Sequence, residues 1–306
     1  MEDAFVMCPA CETMLRGNEA QCPNCGVVIN AEPQAAPERQ RPYVEPHAYD
    51  PDWEPEFEYV VRSTTSTDEL GALLVADTVA SLAAVPLHVD RERVDICFSG
   101  SQKAISAPPG MSPITVSPAA EEVFRKRKTK VQSWYFDLTT AMNYWGKDRL
   151  YHHTPPISLI FALREAMRLV VEEGLEARWE RHRLNQLALI AGLEAMGLKL
   201  LVENPSDRLP TVTAVMIPSG VSDEKLRSQL LDEFNIEIAG GFGPIKGKIW
   251  RVGLMGYCSQ KTNVLLFLAA LEKCLIDQGF RVGSGAGVGA AVKNYSHAEA
   301  AVVASR

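Results

Sequence analysis

The chain has 306 residues, 46% apolar and 23% charged, with a net charge of −7, which suits a globular protein of one to three domains. The acidic excess argues against a nucleic-acid binder, which needs a basic face. No apolar run of about 18 residues offers a membrane span, and Met1-Glu2-Asp3 does not begin a signal peptide. Four of the seven cysteines crowd into the first 25 residues, and Cys97, Cys258 and Cys274 are scattered. That usage fits a reducing compartment, and a cytoplasmic location is expected.

Residues 1–28 hold two Cys-x-x-Cys knuckles, Cys8/Cys11 and Cys22/Cys25, separated by ten residues. Two knuckles can present four thiolates in a tetrahedron, which suits zinc. Iron in a rubredoxin-like site, or thiols without metal, are the other readings. A zinc ribbon this small would take most of its folding energy from the metal. With four cysteines filling the shell, a structural or protein-binding module is expected rather than a catalytic one. Residues 29–66 interleave six prolines (Pro33, Pro37, Pro42, Pro46, Pro51, Pro55) with acidic side chains, the pattern of an extended linker.

From Gly71 the pattern becomes that of an α/β protein. Strands are expected at 72–76, 94–98 and 114–116, with a helix from Pro118 toward Lys128. Residues 157–173 read as a helix stopped by Gly174, and 175–196 as a long amphipathic helix capped by Gly197. Strands at 198–202, 212–217, 236–238 and 249–254 follow. Ser222 is placed to cap a helix through Phe234, with Asp223 and Glu224 in its first turn. Ser259 begins a last long helix toward Asp277. This order gives residues 67–174 as part of a large α/β domain and 175–280 as a smaller one. The Gly- and Ala-rich residues 281–306 are expected to form a flexible tail. Their Gly283–Gly289 stretch has no strand feeding it, so a nucleotide loop is disfavoured.

Two strand ends carry candidate chemistry. Ser99-Gly100-Ser101-Gln102-Lys103-Ala104 puts a lysine among small residues just past a strand. Small neighbours leave room for a flat cofactor, and burial would lower the amine pKa for Schiff-base chemistry. Leu74-Val75-Ala76-Asp77-Thr78 puts a carboxylate at the C-terminal end of another strand, where ligands bind in α/β sheets. Read alone, Lys103 is a solvated charge and Asp77 a turn cap. The pair is more specific.

Taken together, Asp77-Thr78-Val79-Ala80-Ser81 and Ser99 to Lys103 resemble the class V, fold-type I aminotransferases that use pyridoxal 5′-phosphate (PLP). The resemblance is strongest to the alanine–glyoxylate / serine–pyruvate group. The blocks at 127–130 and 249–254, and Tyr151-His152-His153-Thr154, agree with it in order. It implies that Lys103 holds PLP and later carries a proton, and that Asp77 pairs with the pyridinium nitrogen. It also implies that Gln102 touches the phosphate and that Tyr151 and Thr154 reach the cofactor of a second subunit in a homodimer. Arg251 would grip the substrate carboxylate in a bidentate fork. The implied activity moves an amino group from alanine or serine to glyoxylate or pyruvate. Gln102 stands where cysteine desulfurases carry histidine, against that relative.

The resemblance covers residues 71–277. The N-terminal half of the family's large domain has no counterpart in 1–66, so an incomplete sheet with exposed apolar edges is expected. That leaves a second reading, a zinc-ribbon binding protein carrying an inactive aminotransferase remnant. The basic run Arg125 to Lys130 reads as a solvated rim. His152 and His153 read as packing near an interface rather than as metal ligands. Trp134-Tyr135-Phe136 reads equally as a substrate mouth or a packed segment.

Overall fold

A computed structural model describes residues 5–7, 14–16 and 72–304. The chain divides into two units, residues 1–53 and 54–306. In the first, β1 (Phe5–Met7) pairs antiparallel with β2 (Met14–Arg16), Met7 opposite Met14. Cys8 and Cys11 fall between these strands in sequence. All four cysteines of the expected zinc ribbon, and the expected linker 29–66, lie outside the described residues.

The second unit opens with a three-stranded sheet in the order β3 (Val75–Asp77), β4 (Ile96–Phe98), β5 (Ile114–Val116). β3 and β4 run parallel with Asp77 opposite Phe98, and β5 is antiparallel to β4. Asp95 ties the strand starts together. Its Oδ2 accepts the Leu74 N–H (2.9 Å) and its Oδ1 the Ser117 hydroxyl (2.7 Å). Ladder pairing therefore begins later than expected at 72 and 94. Ala76, Val94 and Cys97 pack with Leu74, Leu87 and Val89 beneath the sheet. Val75 and Ile114 stand exposed.

Helix α1 (Pro118–Arg125) is capped by Ser117, whose hydroxyl accepts from Ala120 N, and it ends three residues short of Lys128. Helix α2 (Leu138–Trp145) follows, capped by Asp137. Helix α3 spans Ile157–Glu173 and α4 Leu175–Ala195, broken at Gly174, which adopts φ 81°. That left-handed turn favours a residue without Cβ.

A second, antiparallel sheet has the order β6 (Val212–Met216), β8 (Ile249–Gly253), β7 (Ala239–Gly240). Helix α5 (Asp223–Phe234) begins at its Ser222 cap and ends at Asn235 in the left-handed conformation. The expected strand at 198–202 is one bridge, Leu200 opposite Val215. The expected strand at 236–238 is displaced to β7, because Ile238 turns into the core. Leu189 and Leu193 of α4, Leu226 and Leu230 of α5, and Trp250 of β8 meet Leu268, Leu271 and Leu275 of helix α6 (Lys261–Asp277) in one buried cluster. The Trp250 indole N–H donates to Asp223 Oδ1 at 3.1 Å.

The expected flexible tail is instead helix α7 (Ala286–Ala304). Its Ala291 and Tyr295 belong to the buried core. Its small residues are what close helix packing needs. A Cβ on Gly287 would touch Met196, and one on Gly192 of α4 would lie 2.4 Å from Leu268 Cδ1 and 2.9 Å from the Gly287 carbonyl oxygen. Gly192→Val should therefore lower stability by about 1–3 kcal/mol, because overpacking outweighs any helix-propensity gain. Urea unfolding followed by tryptophan fluorescence measures this, and an unchanged midpoint would refute the close approach of α4 and α7.

Candidate active site

The parallel pairing of β3 and β4 brings two candidate residues to one sheet edge. Asp77 ends β3, exposed, with Oδ1 accepting the Val79 N–H at 2.9 Å. Past the end of β4, Ser99 donates its hydroxyl to the Thr78 carbonyl (3.0 Å), and Thr78 donates its own to the Phe98 carbonyl (2.8 Å). These cross-links fix the loop that carries Lys103. Within it, Ser101 is buried and donates to the Pro108 carbonyl, while Ala104 and Ile105 are buried beside it. Lys103 itself is half-buried, not buried as the sequence suggested, and its ammonium makes no ion pair among the described residues. Gln102 is exposed, with its amide folded back toward Gly100, where a Cβ would lie 2.8 Å from Gln102 Oε1.

Arg251 lies on β8, half-buried. Its Nε donates to the Gly240 carbonyl (2.9 Å), and its guanidinium lies 5.1 Å from the Phe242 ring centre. These contacts orient the fork. Tyr151 is exposed and its hydroxyl pairs with that of Thr154 at 2.8 Å. His152 beside it is buried, stacked on Trp134 with ring centres 4.0 Å apart. Its Nδ1 lies 2.7 Å from His153 Nδ1. Among the described residues no three histidine, cysteine, aspartate or glutamate side chains gather as a metal cluster.

The face of α4 expected to be apolar is in part polar and buried, and sequence reasoning missed it. Arg178, His182 and Asn185 are buried, spaced as one helical stripe, with Arg181 beside them. Arg178 donates through Nη2 to the Ala104 carbonyl, one residue past Lys103, and pairs with Glu173. Arg181 also pairs with Glu173 and donates to the Gly256 carbonyl at 3.0 Å. His182 Nε2 accepts the Gly256 N–H at 2.9 Å. Its Nδ1 therefore carries the proton and donates to the Arg178 carbonyl at 2.7 Å. Asn185 donates to Ser259 Oγ (3.1 Å) and accepts the Tyr295 hydroxyl (2.7 Å). Burial holds the His182 imidazole well below its ordinary range, to about 4, against the pull of its bond to the Arg178 carbonyl. Burial raises the Glu173 carboxyl, but Arg181 and Arg178 outweigh it and the net shift is downward.

Residues 61–252 match the family model described as aminotransferase class-V. The (S)-ureidoglycine–glyoxylate transaminase of Bacillus subtilis (strain 168) is 42% identical over 245 residues, covering 74% of this chain and 59% of that protein. The alanine–glyoxylate aminotransferase of Callithrix jacchus is 45% identical over 206 residues, covering 66% of this chain and 50% of its own length. The crystal structure of the B. subtilis ureidoglycine–glyoxylate aminotransferase superposes with a TM-score of 0.73 at 43% identity, over 75% of this chain and 59% of that one. The chain thus spans between half and three-fifths of these relatives' length.

His182 also generates a prediction. Its unfolded-state pKa is near 6.5 and its folded value near 4. The unfolded chain therefore binds the proton first. The stability that neutral His182 contributes is complete above about pH 6.5 and drains away as pH falls toward 4. Between pH 7 and pH 5 the loss is about 2 kcal/mol. His182→Gln should flatten that part of the pH dependence. Urea unfolding of both proteins at the two pH values tests it, and equal losses would refute it.

Proposed function

The chain belongs to the class V aminotransferases, and on that premise we propose that it takes part in PLP-dependent transamination with a 2-oxo acid, glyoxylate foremost, as amino acceptor. Glyoxylate is the acceptor that both named relatives share. Alanine or serine is the donor expected from the sequence, and (S)-ureidoglycine joins them through the relative from B. subtilis. The observation that carries the reading is the parallel register of β3 and β4, which sets Asp77 and the Lys103 loop at one strand edge.

The residues at that edge fit the cofactor. An ammonium with no ion pair among the described residues, an exposed carboxylate and a loop of small side chains are what an aldehyde-bearing, flat, cationic ring requires. PLP, when bound, supplies the electron sink that makes the substrate Cα–H acidic. Lys103 Nζ would tether it and, once released, take the proton from Cα. Asp77 would hold the proton on the ring nitrogen. Gln102 would donate to the phosphate. Arg251, held by Gly240 and Phe242, would receive the substrate carboxylate in two parallel hydrogen bonds. Tyr151 and Thr154, exposed and paired with each other, would serve the cofactor of a second subunit in a homodimer. The zinc reading of Cys8, Cys11, Cys22 and Cys25 rests on their spacing, as does a protein partner for that module.

Purified chain given PLP should develop a visible absorbance band that Lys103→Ala abolishes. A spectrum unchanged by PLP in the unmodified chain would sink the transaminase reading and favour the inactive remnant. Arg251→Lys should raise the KM for glyoxylate by about 10- to 100-fold, the worth of a lost charge-assisted bond. A KM within twofold would remove Arg251 from the substrate site. Bound zinc should be near one per chain and fall on Cys22→Ser. Equal metal content in both proteins would refute the ribbon.

A further inference from the structure

We propose that Arg178 and His182 of α4 are positioning residues that lock the Lys103 loop and the loop following β8 into one rigid body, and so set the distance between Lys103 and Arg251. The inference rests on the reading of Lys103 and Arg251 as parts of one site. It adds residues far from both in sequence.

The two loops meet directly. Tyr257 N–H donates to Ser106 Oγ at 2.8 Å. Gly256 has φ +55°, and a Cβ there would lie 1.9 Å from Ser106 Oγ and 2.5 Å from the Ala104 carbonyl oxygen. Only glycine fits at that contact. The α4 side chains then hold the junction from beneath. Arg178 reaches the Ala104 carbonyl, on the lysine side. His182 takes the Gly256 N–H, on the arginine side. His182 also bonds the Arg178 carbonyl, so the two side chains act through one turn of helix. Arg181 and Asn185 extend the grip to Gly256 and Ser259.

Buried charge in this place is expensive unless its partners stay put. Arg178 is 5% exposed, and its Nε is buried with no partner. A stretch whose only task was stability would be served as well by apolar side chains. What the polar stripe adds is direction, because each bond fixes one backbone group of one loop. A misplacement of about 1 Å at reacting groups costs on the order of 100-fold in rate. Rigid support of the groups around a site is therefore a functional requirement.

The test titrates PLP into the full chain and into His182→Ala, His182→Gln, Arg178→Ala and Ser106→Ala, reading the visible band that requires Lys103. Thermal unfolding and amide hydrogen exchange accompany each titration. In His182→Ala and Arg178→Ala the half-saturating PLP concentration should rise about tenfold or more. Exchange at Ser106, Ala107 and Gly256 should quicken while Val215 and Trp250, in the second sheet, keep their protection. His182→Gln returns an acceptor to the Gly256 N–H and should bring both readouts back within threefold. Ser106→Ala cuts only the direct bond between the loops and carries the test should Arg178→Ala fail to fold. A band with unchanged half-saturation in folded His182→Ala and Ser106→Ala would overturn the proposal while leaving the transaminase reading intact. A band absent from the unmodified chain would overturn both.

Discussion

The burial of positive charge on α4 constrains everything around it. A guanidinium and an imidazole lie where the helix would otherwise carry aliphatic side chains, and each must find oxygen or nitrogen partners within the protein. Those partners come from residues 104 and 256, on two separate loops, and from Glu173 across the Gly174 break. Satisfying α4 thus fixes the loops. The imidazole stays neutral because burial penalises its charged form, and a neutral ring can accept from one neighbour while donating to another. A protonated ring would face the Gly256 N–H with a second donor and lose that contact.

The geometry at the first sheet is of another kind. It relies on backbone pairing and on short hydroxyl bridges, Thr78 to Phe98 and Ser99 to Thr78, that bind the ends of two parallel strands. Parallel strand ends expose backbone groups and side chains on the same edge, which is why ligands gather there. Asp77 and Lys103 share that edge because both follow strands of the same direction. Arg251 comes from a second sheet of antiparallel strands.

Local signals were legible in the sequence. Ser222 and Phe234 bound α5 as its cap and composition indicated, and Gly174 separated α3 from α4 because only its backbone tolerates the turn. Strand limits were less legible, since Asp95 and Ile238 act through partners distant in sequence. Small residues at 281–306 suggest looseness, yet the same smallness lets α7 lie close on α4. The polar stripe escaped notice for a related reason. Arginine, histidine and asparagine on a helix read as a wet face, and the groups that bury Arg178 and His182 lie 74 residues away in either direction. The spacing 178, 182, 185 was the available signal. It becomes informative only once a helix face is known to be enclosed. The two parallel strands that end near Asp77 and Lys103 were visible because each is a contiguous apolar run.

The hydroxyl of Tyr295 bonds Asn185, which in turn bonds Ser259 at the start of α6. Translation delivers Tyr295 after every other residue of that chain of contacts. Until α7 has emerged and docked, the Asn185 carbonyl oxygen lacks the Tyr295 hydroxyl. The last restraint on the Asn185 amide thus reaches it from a helix synthesised 110 residues later.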